Sequence, residues 1–322
     1  MSKSPPGSAA RDDPGATAPG VPTRGVPARG QGPTPVRNCV GVVVTDAPEG
    51  LLRDPYYSTI FKGISSALAE RSLLFLLLAP LSESEQDATR RLLVGTQVDG
   101  LILIGLHTDS WLPRLIQRRK IPAVMCGHLP PDFGISGIDC DNFRGSVLAI
   151  DHLLSIGRRR IAHISGHHTT PSGLDRLMGY RQALAAAGIP LDPTMEESGD
   201  FLVGPARMAM SRLLESHPDL DAVYVASDQM AVAAMEVLAK AGRRIPEDVA
   251  VVGFDDSPSA AAASPSLSTI NQSIELTGRE AVKMLVRHIA DPEAAPQRVV
   301  LDVELVIRES TSGSARPAAP TP

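Results

Sequence analysis

The sequence predicts an α/β protein made of two doubly wound parallel-sheet lobes. Three observations carry that expectation. Short apolar runs recur without polar alternation, the pattern of parallel strands covered on both faces. Amphipathic stretches of helical period separate these runs. The alternation then starts afresh at Ile161, so repeated βα units fill residues 38–310 as two successive sets.

The elements follow in order. Val40–Val44 reads as a buried strand and Tyr56–Arg71 as a helix with Ile60, Ile64, Ala67 and Leu68 on one face. Leu73–Leu78 is a second strand. Ser82-Glu83-Ser84-Glu85 has the form of a capping box and opens a helix to about Thr96. Gly100–Ile104 is a strand, Ser110–Arg119 a helix, Ala123–Cys126 a strand and Asn142–Ser155 a helix closed by Gly157. In the second set, Ile161–Ser165 is a strand, and Leu174–Ala187 is a helix that closes at Gly188 before Pro190. Pro205–Glu215 is a helix, Ala222–Ala226 a strand, Gln229–Ala241 a helix and Val249–Val252 a strand. Leu267–Ile270 is a short strand, Ile274–Ala290 a helix and Val299–Val306 one last strand.

Residues 1–37 contain 8 Pro and 6 Gly and no hydrophobic period, so they cannot bury enough apolar surface to offset their ordering entropy. They read as a disordered tail, as do residues 311–322 with Pro317, Pro320 and Pro322.

Composition narrows the function classes. A chain of 322 residues, 43% hydrophobic and 21% charged, builds a sizeable core. Its longest apolar run, Leu73–Ala79, is seven residues, whereas a membrane-spanning helix needs roughly 20. The start lacks the basic and apolar regions of a secretory signal, and Cys39, Cys126 and Cys140 form no CxxC pair. A cytoplasmic protein without a membrane partner is expected. Five cations against two anions give residues 1–37 a charge of +3, which leaves −8 of the total −5 on the rest. An acidic body is a poor nonspecific binder of nucleic acid, and 3% aromatics supply few stacking platforms for single strands.

Motifs of catalysis and cofactor binding are missing. There is no GxxxxGK[ST] loop, no GxSxG elbow, and "VGVVVTDAPEG" stands where a dinucleotide fold carries GxGxxG. No enzyme activity and no cofactor are expected. His163, His167 and His168 cluster in "HISGHHTT", but without ligand spacing they read as a strand residue and loop residues, and no metal is expected. Arg158-Arg159-Arg160 reads as a solvated helix end.

Polar and aromatic residues instead collect at the carboxyl ends of strands, where open α/β sheets bind ligands. Tyr56 and Tyr57 follow the first strand, and Arg176 stands just inside the helix after the first strand of the second set. Ser227 and Asp228 follow Ala222–Ala226, Asp255 follows Val249–Phe254, and Gln272 follows Leu267–Asn271. Planar charged groups with aromatic faces suit a sugar, whose vicinal hydroxyls take bidentate hydrogen bonds.

Several segments resemble the lactose-repressor/galactose-repressor (LacI/GalR) family of bacterial regulators. They are "DPYYSTIFKGISSALAE", "DHLLSIGRRRIAHISG", "LDRLMGYRQALAAAGI" and "DAVYVASDQMAVAAMEVLAKAGRRIPEDVAVVGFDDSPSAAAASPSLSTINQS". The resemblance covers residues 38–310 and implies a type I periplasmic-binding-protein-like fold, two lobes joined by three crossovers. It implies a first lobe of 38–160 plus 272–295 and a second of 161–271 plus 296–310. It also implies that Tyr56 and Tyr57 line the pocket, Arg176 holds the ligand, Asp255 and Gln272 contact it, and Phe201 closes it. Ser227 stands where the family usually has asparagine.

The expected function is a ligand-sensing transcriptional regulator working as a homodimer. A pentose or hexose is the first effector class and a purine the second. Residues 1–37 do not resemble the family's helix-turn-helix, so operator DNA is expected as a partner only if such a reader lies upstream of Met1. A solute-binding protein of a transporter is the alternative.

Overall fold

The computed structural model describes residues 38–312 apart from 46–50, 52–53, 81, 96–97, 107–109 and 128–133. The predicted tail 1–37 and all but the first two residues of 311–322 lie outside the described residues. The first set of elements runs β1 Cys39–Val44, α1 Pro55–Ala69, β2 Leu74–Leu78, α2 Glu83–Val94, β3 Gly100–Ile104, α3 Leu112–Arg119, β4 Ala123–Cys126 and β5 Ser136–Cys140. The second runs α4 Asn142–Ser155, β6 Ile161–Ser165, α5 Pro171–Ala186, β7 Glu196–Ser198, α6 Val203–Ser216, β8 Ala222–Val225, α7 Asp228–Lys240, β9 Ala250–Asp255, α8 Pro258–Ala262 and β10 Ser268–Asn271. Then α9 Ile274–Ala290 and β11 Arg298–Leu301 return to the first lobe, and β12 Glu304–Val306 ends in the second.

Each lobe is a six-stranded sheet. The first has the order β11-β5-β4-β3-β1-β2 with every pair parallel. The second has the order β12-β10-β9-β8-β6-β7, parallel except for β12 against β10. Successive strand residues point to opposite faces, so the uninterrupted apolar strands need cover on both. In the first lobe Val42, Ile102 and Val124 pack with Ile60 and Val282 of α1 and α9, while Val43, Leu101 and Leu103 pack with Leu93 and Ile116 of α2 and α3. In the second, Ile164, Val223 and Val251 meet Met210 and Leu238 of α6 and α7, and Tyr224, Val252 and Phe254 meet Ile150 and Leu177 of α4 and α5.

The expected α/β class, two lobes and three crossovers are present, at Asp141, at residues 272–273 and at residues 302–303. Lateral hydrogen bonds tie the crossovers together: Asp141 N–H donates to the Leu301 carbonyl (3.1 Å) and the Cys140 thiol to Gln272 Oε1 (3.2 Å).

The lobe boundaries differ from those implied by the resemblance. Helix α4 packs on α5 and lines the second core through Ala149, Ile150 and Leu153, so residues 142–160 belong to the second lobe. Val299–Val306 is two strands, because Asp302 and Val303 carry the chain from a parallel pairing with β5 to an antiparallel pairing with β10. That places β11 in the first lobe. Strands β5 and β7 were not foreseen. Thr311, read as tail, is buried, and its hydroxyl bonds Ser268 (2.7 Å) and His152 (2.8 Å). Among the described residues no helix is long and apolar enough to cross a membrane.

Candidate functional site: the cleft between the lobes

The carboxyl ends of the strands in the two sheets line one cleft, whose space is about 760 Å³ including the part open to solvent. Its first-lobe wall starts at α1. Asp54 caps the helix by accepting from the Tyr56 N–H (2.9 Å), and Pro55 occupies the first helical position, where no N–H is needed. That turn presents Tyr56 and Tyr57, packed edge to face with ring centroids 5.4 Å apart. Asp139 on β5 and Cys126 on β4 complete this wall.

The second-lobe wall centres on Arg176, which lies within the N-terminal half of α5 behind the cap Thr170. Its Nε donates to Asn142 Oδ1 (2.8 Å) and Nη1 to the Ala226 carbonyl (2.5 Å), while Phe254 lies 3.6 Å beneath the guanidinium carbon. Nη2 meets no partner among the described residues. Nη1 is 3.7 Å from Asp255 Oδ1, and Asp255 also accepts from Gln272 Nε2 (2.5 Å). Gln272 thus bonds the end of β9 on one side and Cys140 of the first lobe on the other.

The backbone is strained where β9 ends. Asp255 has φ +127° and Asp256 φ +56°, in regions side chains rarely adopt, and such residues cluster at ligand sites. Phe201 likewise has φ +58°, and its ring lies on Gly166, where a Cβ would fall 2.0 Å from the ring. Only glycine there leaves room for the ring in this position, where it lines the cleft.

Burial raises the Asp255 carboxyl above the ordinary carboxylate range, and the Arg176 charge opposes that rise. Burial also lifts Asp228 to about 7, Cys126 to about 12 and the Tyr56 phenol above its usual range.

Tyr56, Tyr57, Arg176, Phe201, Ser227, Asp255 and Gln272, all singled out in the sequence, line this cleft together. Asp228 does not. It is fully buried, its carboxylate accepting from Ser257 N (2.7 Å) and Thr269 Oγ1 (2.5 Å), and it braces β9 and β10 from behind. Its neighbour Ser227 caps α7 and faces the space instead. Sequence reasoning missed Asp54, Asp139, Asn142, Thr170 and Ser172. The cap positions of Asp54 and Thr170, each before a proline, were the available signal for two of them.

The histidine cluster goes elsewhere. His163 stacks between Tyr180 (4.9 Å) and Tyr224 (4.8 Å), and its Nδ1–H donates to the Tyr224 carbonyl (3.0 Å). No group of three His, Cys, Asp or Glu placed to share a metal occurs among the described residues.

Comparison with known proteins gives a consistent picture. Residues 150–311 match the family described as periplasmic binding protein-like domain. The chain is 41% identical over 273 residues to the HTH-type transcriptional regulator CelR of Thermobifida fusca, covering 84% of this chain and 80% of that protein. It is 34% identical over 276 residues to the ribose operon repressor of Escherichia coli strain K12, covering 84% and 81%. Among solved structures, a transcriptional regulator CelR–cellobiose complex superposes with a TM-score of 0.81 at 40% identity, covering 86% of each chain.

Proposed function

The chain belongs to the LacI family of transcriptional regulators, and from that membership we propose that it senses a sugar in its interlobe cleft. The observation that carries the reading is the convergence of Tyr56, Tyr57, Arg176, Phe201, Asp255 and Gln272 on one space between two lobes. Arg176, Asp255 and Gln272 offer planar donors and acceptors to vicinal hydroxyls, and the aromatic rings offer faces to sugar C–H groups. The cellobiose complex of the CelR structure and the name of the ribose operon repressor point to the same ligand class, ahead of a purine.

A sugar touching both walls stabilises one arrangement of the lobes over others, and the three crossovers convert that preference into a rotation. The partners in this reading are the sugar, a second copy of the chain in a homodimer and operator DNA, and the setting is the cytoplasm. A transporter's solute-binding protein shares the cleft, but the relatives named above are regulators.

Thermal unfolding with cellobiose, ribose, other pentoses and hexoses, and nucleosides tests the reading. A sugar at 100 times its dissociation constant adds about 2.7 kcal/mol, which raises Tm by a few degrees at this size. Arg176→Ala is expected to abolish that shift. A shift that survives in the variant removes Arg176 from the site, and a response to nucleosides alone overturns the sugar assignment.

A further inference from the structure

We propose, building on the sugar-binding reading above, that Asn142 is a positioning residue: it holds the Arg176 guanidinium in the orientation from which it meets the sugar. Arg176 is buried, and aromatic rings and hydrogen bonds restrain its fork in different ways. Phe254 and Phe201 present their rings to the guanidinium carbon at 3.6 and 5.8 Å, which confines the tilt of its plane. Rotation within that plane is set by hydrogen bonds. Nη1 bonds the carbonyl of Ala226, a backbone group, and Nε bonds Asn142 Oδ1 (2.8 Å). Asp255 Oδ1, 3.7 Å from Nη1, is beyond hydrogen-bond reach. Among the described residues, Asn142 is the one side chain that takes a hydrogen bond from Arg176.

Asn142 is itself held. It is 2% exposed and opens α4 directly after the crossover at Asp141. The helix start does not use its side chain, because Asp141 supplies the cap by accepting from Arg144 N–H (2.9 Å). Instead Nδ2 donates to Asp139 Oδ1 (3.1 Å) and to the Cys140 carbonyl (3.3 Å), both in β5 of the first lobe. A carboxylate and a carbonyl accept while an arginine Nε–H donates, so these partners fix which way round the amide stands. With both N–H groups engaged, Asn142 contributes to binding through Arg176. A fork already held in place has less freedom to lose when a ligand arrives, so the hold adds affinity.

Two variants divide the bonds of this side chain. Asn142→Asp keeps an oxygen for Arg176 Nε and gives up both donors to β5. Asn142→Ser keeps a hydroxyl donor for Asp139 and is too short to reach Nε. Calorimetry with cellobiose and ribose reads the affinity, and the Tm of each unliganded protein reads the fold. Asn142→Ser is expected to bind at least about tenfold more weakly with little change in Tm, and Asn142→Asp to bind within about threefold of wild type with a lowered Tm. In unliganded protein the Arg176 Nε–H resonance, identified by its loss in Arg176→Lys, is expected to stay protected from solvent exchange in the wild type and Asn142→Asp and to exchange faster in Asn142→Ser. Each variant decides alone if the other does not fold: undiminished binding by Asn142→Ser, or a tenfold loss in Asn142→Asp, overturns the proposal. A wild type that binds neither sugar counts against sugar sensing itself, whereas unaltered Nε–H exchange in Asn142→Ser overturns the hold on Arg176 whatever the ligand.

Discussion

His163 shows how one residue can carry chemistry-bearing atoms and yet serve packing. Buried between two tyrosines, it leaves Nε2 without a partner, and burial pushes its pKa down to about 3. The unfolded chain takes up a proton near pH 6.5, which the folded protein refuses until about pH 3. Between those limits the unfolded state binds more protons, so this group makes stability fall as pH falls, by about 1.4 kcal/mol per unit. Above pH 6.5 it has no effect. His163→Phe keeps an aromatic ring in the stack and cannot titrate. Urea unfolding at pH 7 and pH 5 is expected to show the wild type losing about 2 kcal/mol more than the variant between the two. Identical losses would mean that His163 is protonated in the fold.

At the level of elements, strongly periodic segments were legible and irregular ones were not. The capping box formed as read, with Ser82 accepting from Glu85 N–H and Glu85 reaching back to Ser82 N–H (2.9 Å). Strand β5 escaped because "SGIDC" has a glycine and an aspartate among alternating burial, the pattern of a loop in an otherwise apolar-stranded protein. Asp139 and Asn142 stand at the carboxyl end of this unmarked strand, so the sequence pattern does not place them at the cleft they line. The two-strand split of 299–306 was equally invisible, as a change of partner sheet leaves no periodicity to detect.

Helix pairs carry a further constraint. Gly63 and Gly278 let α1 and α9 cross almost backbone to backbone: a Cβ on Gly278 would lie 2.5 Å from the Ile60 carbonyl oxygen, and one on Gly63 2.1 Å from that of Glu275. Gly278→Ala gains up to about 1 kcal/mol of helix propensity. Against that, overpacking costs about 1–3 kcal/mol, and more where the obstacle is backbone that no rotamer change can move. The clash is therefore expected to win, leaving the variant at least about 1 kcal/mol less stable in denaturant titration. Unchanged or raised stability would show that the two helices slide apart freely.

Across the whole molecule, two lobes were legible as two successive sets of βα units, the three links as what the family resemblance implies, and the polar and aromatic residues at strand ends, with Phe201 from the resemblance, fall on the cleft lining at seven of eight positions. What could not be read was the contact made only when the lobes face each other. Gln229, on α7 of the second lobe, donates through Nε2 to Asp54 Oδ2 of the first lobe (2.6 Å) and to the Phe201 carbonyl (2.9 Å). It is not among the residues lining the cleft, so its effect on ligand affinity runs through the lobe arrangement. A hydrogen bond to a charged partner contributes about 1.5–3 kcal/mol, part of which is lost to solvent at this half-buried position. Gln229→Ala therefore lowers the population of the arrangement that brings both walls to the ligand, and the apparent affinity falls in proportion. The expected loss is about tenfold, and it is the same factor for every sugar that binds. Calorimetry on two sugars of different size separates the cases: equal losses report the lobe equilibrium, whereas a loss confined to one sugar would place Gln229 in direct contact with it.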